Sequence, residues 1–148
     1  MGVSYKTTTN PENLDIEKLT KKLWTYNAAF IGKYSSTQIL VQLYENNTYL
    51  GGGYAVIKLG WLHIDLLWVE KNYRGHGYGK QILSKLEQYA LESHNIKFSK
   101  LHTGNFQGSM EFYKHLGYEI FAELEIYPEN ARKMAKPYID YYMKKTID

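Results

Sequence analysis

The segment from Ile64 to Ala90, IDLLWVEKNYRGHGYGKQILSKLEQYA, restricts the possible folds more than any other part of the chain. Ile64, Leu66, Leu67, Trp68 and Val69 form a nearly continuous apolar run, which suits a central strand covered on both faces. A short polar turn leads into Arg74-Gly75-His76-Gly77-Tyr78-Gly79, with glycine at alternate positions. Glycine reaches backbone angles that other residues avoid and lets a ligand approach the amides closely. Beyond the loop, Gly79, Ile82, Leu83, Leu86 and Ala90 share one helical face, while Lys80, Lys85, Glu87 and Gln88 fall mostly elsewhere. A strand feeding a glycine loop that opens a helix is an anion-binding arrangement. The free N–H groups of the first turn point outward and the helix dipole favours negative charge there. Arg74 stands beside the loop and can add a bidentate phosphate contact. The segment reads as a pyrophosphate cradle.

Two familiar glycine loops do not fit. A P-loop ending at Gly79-Lys80 would need its first glycine at Arg74 and a hydroxyl where Gln81 stands. A dinucleotide fingerprint starting at Gly75 would need its third glycine at Lys80. The pattern R/Q-x-x-G-x-G/A does fit residues 74–79, and a hydrophobic strand ends just before it at Leu66-Leu67-Trp68-Val69. Downstream stands Phe112-Tyr113-Lys114-His115-Leu116-Gly117-Tyr118, an F-Y-x-x-x-G-[FY] segment. With these motifs in this order the chain resembles the GNAT superfamily of N-acetyltransferases, over roughly its central and C-terminal two-thirds.

The resemblance implies a mixed α/β fold, with a mostly antiparallel central sheet, one splayed parallel strand pair and flanking helices. It implies acetyl-CoA as cosubstrate, no metal, and transfer of the acetyl group to a primary amine of a small molecule or peptide. Gly75, His76, Gly77, Tyr78, Gly79 and Lys80 would hold the pyrophosphate with Arg74. Leu67, Trp68 and Val69 would offer the strand edge that the pantetheine arm pairs with, as an added strand would. Tyr113 would protonate the leaving thiolate, and a phenol of pKa ~10 still carries its proton at neutral pH. Many members place an asparagine seven residues before that tyrosine; here Asn105 is eight before, with Gln107 or the loop backbone as alternatives. Trp24, Tyr26, Asn27 and Phe30 would line the acceptor pocket or else serve as core or dimer contacts. A homodimer is the expected assembly, favoured by the aromatic C-terminal strand.

Within the central strand, His63, Asp65, Leu67 and Val69 share a face if alternation is strict. His63 and Asp65 are polar in an apolar strand, and unpaired burial of such groups is expensive. They admit two readings: the base that deprotonates the amine and its orienting partner, or a pair satisfied by neighbours. The near-neutral pKa of imidazole suits the first.

The remaining composition excludes several chemistries. The 148 residues contain no cysteine, so disulfides, thiolate metal sites and cysteine nucleophiles are out. That also suits a reducing cytoplasm. MGVSYKTTTN lacks an apolar signal core and no apolar run has the length of a membrane span. Net charge is +3 with dispersed basic residues, Lys21-Lys22 and Lys144-Lys145 being adjacent pairs, so no nucleic-acid partner is expected. The 15 tyrosines suit strand faces and half-wet clefts.

The chain reads as one domain over 1–148. A frayed lead or short strand covers 1–11. A helix follows, capped by Asn13, with Ile16, Leu19, Leu23 and Trp24 as its stripe. Strands are expected over 38–45, 48–59 and 61–69, joined by turns at Glu45-Asn46-Asn47 and Leu59-Gly60. Gly51-Gly52-Gly53 reads as a hairpin distortion or a close backbone approach. After the helix that ends near Asn95, a parallel strand covers 96–103. A helix starting at Ser109 or Gly108 stops at Gly117, and strands cover 118–126 and 138–144. One helical turn is expected over 129–133.

Overall fold

The computed structural model describes residues 2–129 and 137–148; the turn expected over 129–133 lies largely outside them. The chain divides into two compact units, Met1–Ser35 and Ser36–Asp148. The first unit carries helix α1, Asn13–Ile31. Its first turn closes on the Glu12 carbonyl, which accepts from the amides of Asp15 and Ile16 at 3.1 and 3.4 Å. Glu12 therefore takes the cap position expected for Asn13, and no side-chain hydrogen bond caps the helix. Residues 2–12, before α1, form no strand.

Among the described residues, the second unit is a six-stranded sheet with two α-helices. Its elements are β1 (Ser36–Glu45), β2 (Thr48–Lys58), β3 (Trp61–Val69), α2 (Tyr78–His94), β4 (Phe98–Gly104), α3 (Met110–His115), β5 (Glu119–Ile126) and β6 (Tyr138–Thr146). Strand order is β1-β2-β3-β4-β6-β5. Every neighbouring pair is antiparallel except β3 and β4, which are parallel. The first two hairpins close through two-residue turns with positive φ at both positions, Asn46-Asn47 and Leu59-Gly60, the backbone that matches strand twist. β6 is paired on both edges, so the aromatic C-terminal strand has no edge to offer a second copy. Among the described residues no helix is long and apolar enough to cross a membrane.

α2 lies on one face of β1–β3 and buries Ile82, Leu83, Leu86 and Ala90 against Ile39, Ala55, Ile57, Leu62 and Ile64. The glycine run makes this close packing possible. A Cβ on Gly53 would stand 2.7 Å from Ile82 Cγ2 and 2.9 Å from Leu86 Cδ1. One on Gly51 would strike the Trp68 carbonyl at 2.2 Å, and one on Gly52 the Val41 carbonyl at 2.6 Å. These glycines are thus close-approach positions on three sides. The hairpin irregularity lies beside them: Leu43 pairs with Gly51 and Tyr44 with Tyr49, leaving Leu50 as the extra, buried residue.

A second bulge governs the centre of the sheet. Ile64 pairs with Ala55 and Leu66 with Tyr54, so Asp65 is the inserted residue. An inserted residue reverses the alternation beyond it. Leu62, Ile64, Leu67 and Val69 therefore face α2, while His63, Leu66 and Trp68 face the other way. The expectation that His63 and Asp65 share a face with Leu67 and Val69 is corrected here; it assumed an uninterrupted strand.

Glu87 departs from the helix pattern too. It is buried on α2, beneath β4 and β6. Tyr118 Oη donates to Glu87 Oε2 at 2.8 Å and lies 2.7 Å from Ser99 Oγ. Lys145 Nζ donates to Glu87 Oε1 at 2.8 Å. Burial and the Glu87 charge push the Tyr118 phenol far up, so it stays a donor. Removing one partner of a covered ion pair strands the other. Lys145→Met should lower unfolding free energy by about 3 kcal/mol, and the double variant Glu87→Leu/Lys145→Met should recover most of that loss, both read from urea unfolding midpoints.

Candidate active site

A cleft of about 500 Å³ opens between the end of β3, the glycine loop and α3. Its floor begins with Leu67 and Val69, turned to this side by the bulge. Gly75 and Gly77 line it with φ of +83° and +84°, a left-handed conformation that side chains resist. Gly77 is the N-cap of α2, and the first helical hydrogen bond runs from the Gln81 amide to the Gly77 carbonyl at 3.1 Å. The amides of Tyr78, Gly79 and Lys80 therefore lie ahead of the helical ladder, and all three residues border the cleft. On the far wall stand Gly108, Ser109, Phe112 and Tyr113. The Phe112 ring would lie 3.3 Å from a Cβ on Gly79, so α2 and α3 meet closely behind the loop.

β3 and β4 are paired only at Leu62 with Ser99 and at His63 with Lys100. Beyond that point β4 continues to pair with β6 up to Gly104, while β3 stays with β2. The two parallel strands thus part in a V, and backbone groups along the inner edge of β3 face the opening. Extended ligand amides can pair with such an edge.

Arg74 closes the end of the V. Its Nε donates to the Val69 carbonyl at 2.8 Å, and its guanidinium carbon sits 4.5 Å from the centre of the Trp68 ring. Trp68 Nε1 in turn donates to Glu70 Oε1 at 3.4 Å. The arginine reaches the cleft while held from the other face of the sheet. The Val69 carbonyl is engaged by this contact.

The family model described as "Acetyltransferase (GNAT) family" matches residues 7–118, more than half of the chain. The chain belongs to the GNAT acetyltransferase family. It is 34% identical over 84 residues to the blasticidin-S acetyltransferase of Streptomyces morookaense, a match spanning 57% of this chain and 61% of that protein. The chain thus covers less than two-thirds of this relative's length. An acetyltransferase structure from Bacillus cereus ATCC 14579 superposes with a TM-score of 0.78 at 26% identity, over 95% of this chain and 97% of that one. An aminoglycoside 6′-N-acetyltransferase complexed with coenzyme A shares the fold, with a TM-score of 0.61 at 22% identity over 75% of this chain and 73% of that one.

In this GNAT chain, most residues expected to bind the cosubstrate meet in one cleft: Leu67, Val69, Arg74, Gly75, Gly77, Tyr78, Gly79, Lys80 and Tyr113. Others lie elsewhere. Trp68 is on the opposite face and reaches the cleft only through Arg74. His76 is exposed, its ring tilted against Tyr78 at 6.0 Å. Asn105 is committed to the chain entering β6: its Nδ2 donates to the Pro137 carbonyl at 2.8 Å and its Oδ1 accepts from the Ile139 amide at 3.1 Å. Gln107 likewise uses Oε1 within its own loop, accepting from Thr103 Oγ1 and the Gly104 amide at 3.0 Å each. Ser109 and Phe112 were not expected at the cleft; only the tertiary meeting of α3 with the glycine loop brings them there. Trp24, stacked on Tyr34 at 4.0 Å, and Tyr26, beside Phe30 at 5.5 Å, belong to the first unit.

Tyr113 is buried, its ring edge-on to Phe112 and Tyr118 at 5.1 and 6.0 Å. Burial pushes its phenol up, which keeps it protonated at neutral pH. His63 is half-buried on the opposite face. Burial first, then the Lys100 and Lys58 cations, hold its pKa below the ordinary value, while Asp65 pulls the other way. A histidine depressed by folding is protonated more readily in the unfolded chain. It therefore removes stability as pH falls through ~6.5 toward its folded pKa. His63→Asn should lose less stability than the parent between pH 7 and 5, measured by denaturant unfolding across that range.

Proposed function

We propose that the protein transfers the acetyl group of acetyl-CoA to a primary amine of a small molecule, by direct attack in a ternary complex. One observation carries the reading: the N-terminus of α2, the splayed edge of β3 and Tyr113 border a single cleft. The first can hold a diphosphate, the second an extended diamide, the third a leaving thiolate. The names of the blasticidin-S and aminoglycoside 6′-N-acetyltransferase relatives support a small-molecule acceptor. A cytoplasmic setting agrees with the absence of cysteine.

In this reading the amides at Tyr78–Lys80 and the left-handed glycines seat the pyrophosphate, with the helix dipole behind them. Arg74, braced on Trp68 and the Val69 carbonyl, adds a fixed positive charge. Leu67 and Val69 orient the arm, so that the thioester lies at the narrow end of the V. Holding thioester and amine in line supplies much of the acceleration. Backbone N–H groups around Leu67 to Val69 stabilise the tetrahedral oxyanion. As the C–S bond breaks, the Tyr113 hydroxyl gives its proton to sulfur and regains one from solvent.

Two variants test separate parts of this scheme. Tyr113→Phe should lower kcat by more than about tenfold in a thiol-release assay, with acetyl-CoA affinity nearly unchanged; full turnover would reject the acid role. Arg74→Ala should instead weaken acetyl-CoA binding by roughly tenfold in calorimetry, as loss of a charged hydrogen bond does. Unaltered binding would remove Arg74 from the cradle. Blasticidin S and an aminoglycoside head the acceptor panel. Acetyl-CoA binding without thiol release from any amine would indicate a module that binds acyl-CoA without catalysis.

A further inference from the structure

The acceptor amine must lose a proton before it can attack, and the cleft described above contains no group suited to take it. α2 and α3 occupy one face of the sheet, so the amine has the opposite face from which to reach the narrow end of the V. β4 leaves β3 after Lys100. The next residue of β4 on that opposite face is His102, because Leu101 and Thr103 on either side are buried toward the helices. His102 thus stands on one arm of the V, just past its vertex.

Its setting is organised on β6. The register places Tyr142 beside it, and the two rings stack with centroids 5.3 Å apart and planes 21° from parallel. Nδ1 lies 3.6 Å from Asp140 Oδ2. The Asp140 side chain is 19% exposed and the imidazole 62%, so a mostly covered carboxylate holds an accessible ring. With Nδ1 toward the carboxylate, the favoured tautomer carries its proton there and leaves the Nε2 lone pair outward. Charged or titratable groups on this face include Lys100 on the same strand, Tyr142 and Lys144 on β6, Glu119 on β5 opposite Lys144, His63 and the inserted Asp65 on β3, and Lys58 on β2. Lys144 leans over the Phe121 ring of β5, at 5.7 Å. At the height of His102, β5 contributes Ala122 and Leu124, neither of which titrates.

We propose that His102, oriented by Asp140, is the general base that deprotonates the acceptor amine. The proposal rests on the transfer reading above. Nε2 takes one proton from the ammonium, and the Asp140 carboxylate stabilises the imidazolium that results. The neutral nitrogen forms the C–N bond to the thioester carbonyl. The imidazolium passes that first proton to solvent, and once the tetrahedral adduct has formed its nitrogen gives up a second proton to solvent through the same, again neutral, imidazole. The C–S bond breaks, and Tyr113 protonates the thiolate. The products are the amide, the thiol and one proton. His63 is less suited, because burial first, then Lys100 and Lys58, oppose a positive charge on it more than Asp65 favours one.

The test uses the full chain, acetyl-CoA and the amine from the panel that gives the highest wild-type turnover. His102→Ala should lower kcat by about 100-fold, leave acetyl-CoA binding unchanged in calorimetry, and regain activity when free imidazole is added. Asp140→Asn should lower kcat about tenfold with acetyl-CoA KM unchanged, and Asp140→Glu should recover part of that loss. Imidazole rescue separates loss of the base from loss of fold. Full activity of His102→Ala, or an impaired variant that imidazole does not restore, would overturn the dyad while leaving acetyl transfer intact. A wild-type chain that binds acetyl-CoA yet releases no thiol with any amine would overturn the transfer reading itself, and the dyad with it.

Discussion

Asp65 is one residue too many for the ladder between β2 and β3, and the geometry of the cleft depends on that surplus. The insertion turns Leu67 and Val69 toward α2 after Leu62 and Ile64 have already faced it. A strand without the bulge would have sent Leu67 and Val69 to the face away from the glycine loop. β3 and β4 also keep only two paired positions before they part. A bulge increases local twist and bends its strand, and here it lies at the level where the parallel pair separates. Placement of side chains on the two faces and opening of the V are therefore one event in the backbone. The same insertion leaves His63 and Trp68 on the face opposite the cleft. Trp68 can then brace Arg74 from behind, while His63 points away from that cleft.

The bulge would open a V of no use if the helix beside it were free to shift. α2 is held by two sets of contacts along its buried face. Near its start the glycine run of β2 lets Ile82 and Leu86 press directly on the strand. Further along, Glu87 gathers Tyr118 and Lys145, and Tyr118 meets Ser99, so β4, β6 and the entry to β5 bind one turn of the helix. Tyr118 also donates its backbone amide to the Tyr113 carbonyl at 3.0 Å, in the turn that ends α3 at Gly117. The network that seats α2 thus reaches the residue assigned to the leaving group. A buried carboxylate contributes little net stability against an apolar substitute, but its hydrogen bonds are directional and allow few alternative positions.

Local features were legible in the chain itself. The strand Trp61–Val69, the hairpin turns at Asn46-Asn47 and Leu59-Gly60, and the helix that opens after Gly77 each depend on neighbours in sequence. So does most of the cleft lining, since residues 67–80 form one continuous strand, loop and helix start. The misplaced residues share a different origin. Glu87 breaks the apolar stripe because its partner Lys145 is 58 positions away. Asn105 looked like a ligand group until the chain 32 positions later took up its amide. Gly51-Gly52-Gly53 resembled a distortion because the atoms that crowd them belong to β1, β3 and α2.

The sequence by itself determined the order of elements, the glycine loop that opens α2 and the position of Tyr113 after it, because helix starts, tight turns and glycine conformations are set by residues a few positions apart. Only the tertiary structure decided which face each β3 residue occupies, because a bulge exists only relative to the count of residues on the partner strand. It alone also decided that His102 and Asp140, 38 positions apart in number (140 less 102), stand 3.6 Å from each other beside the V. Nothing in either local stretch announces such a pair. The register of β4 against β6 creates it.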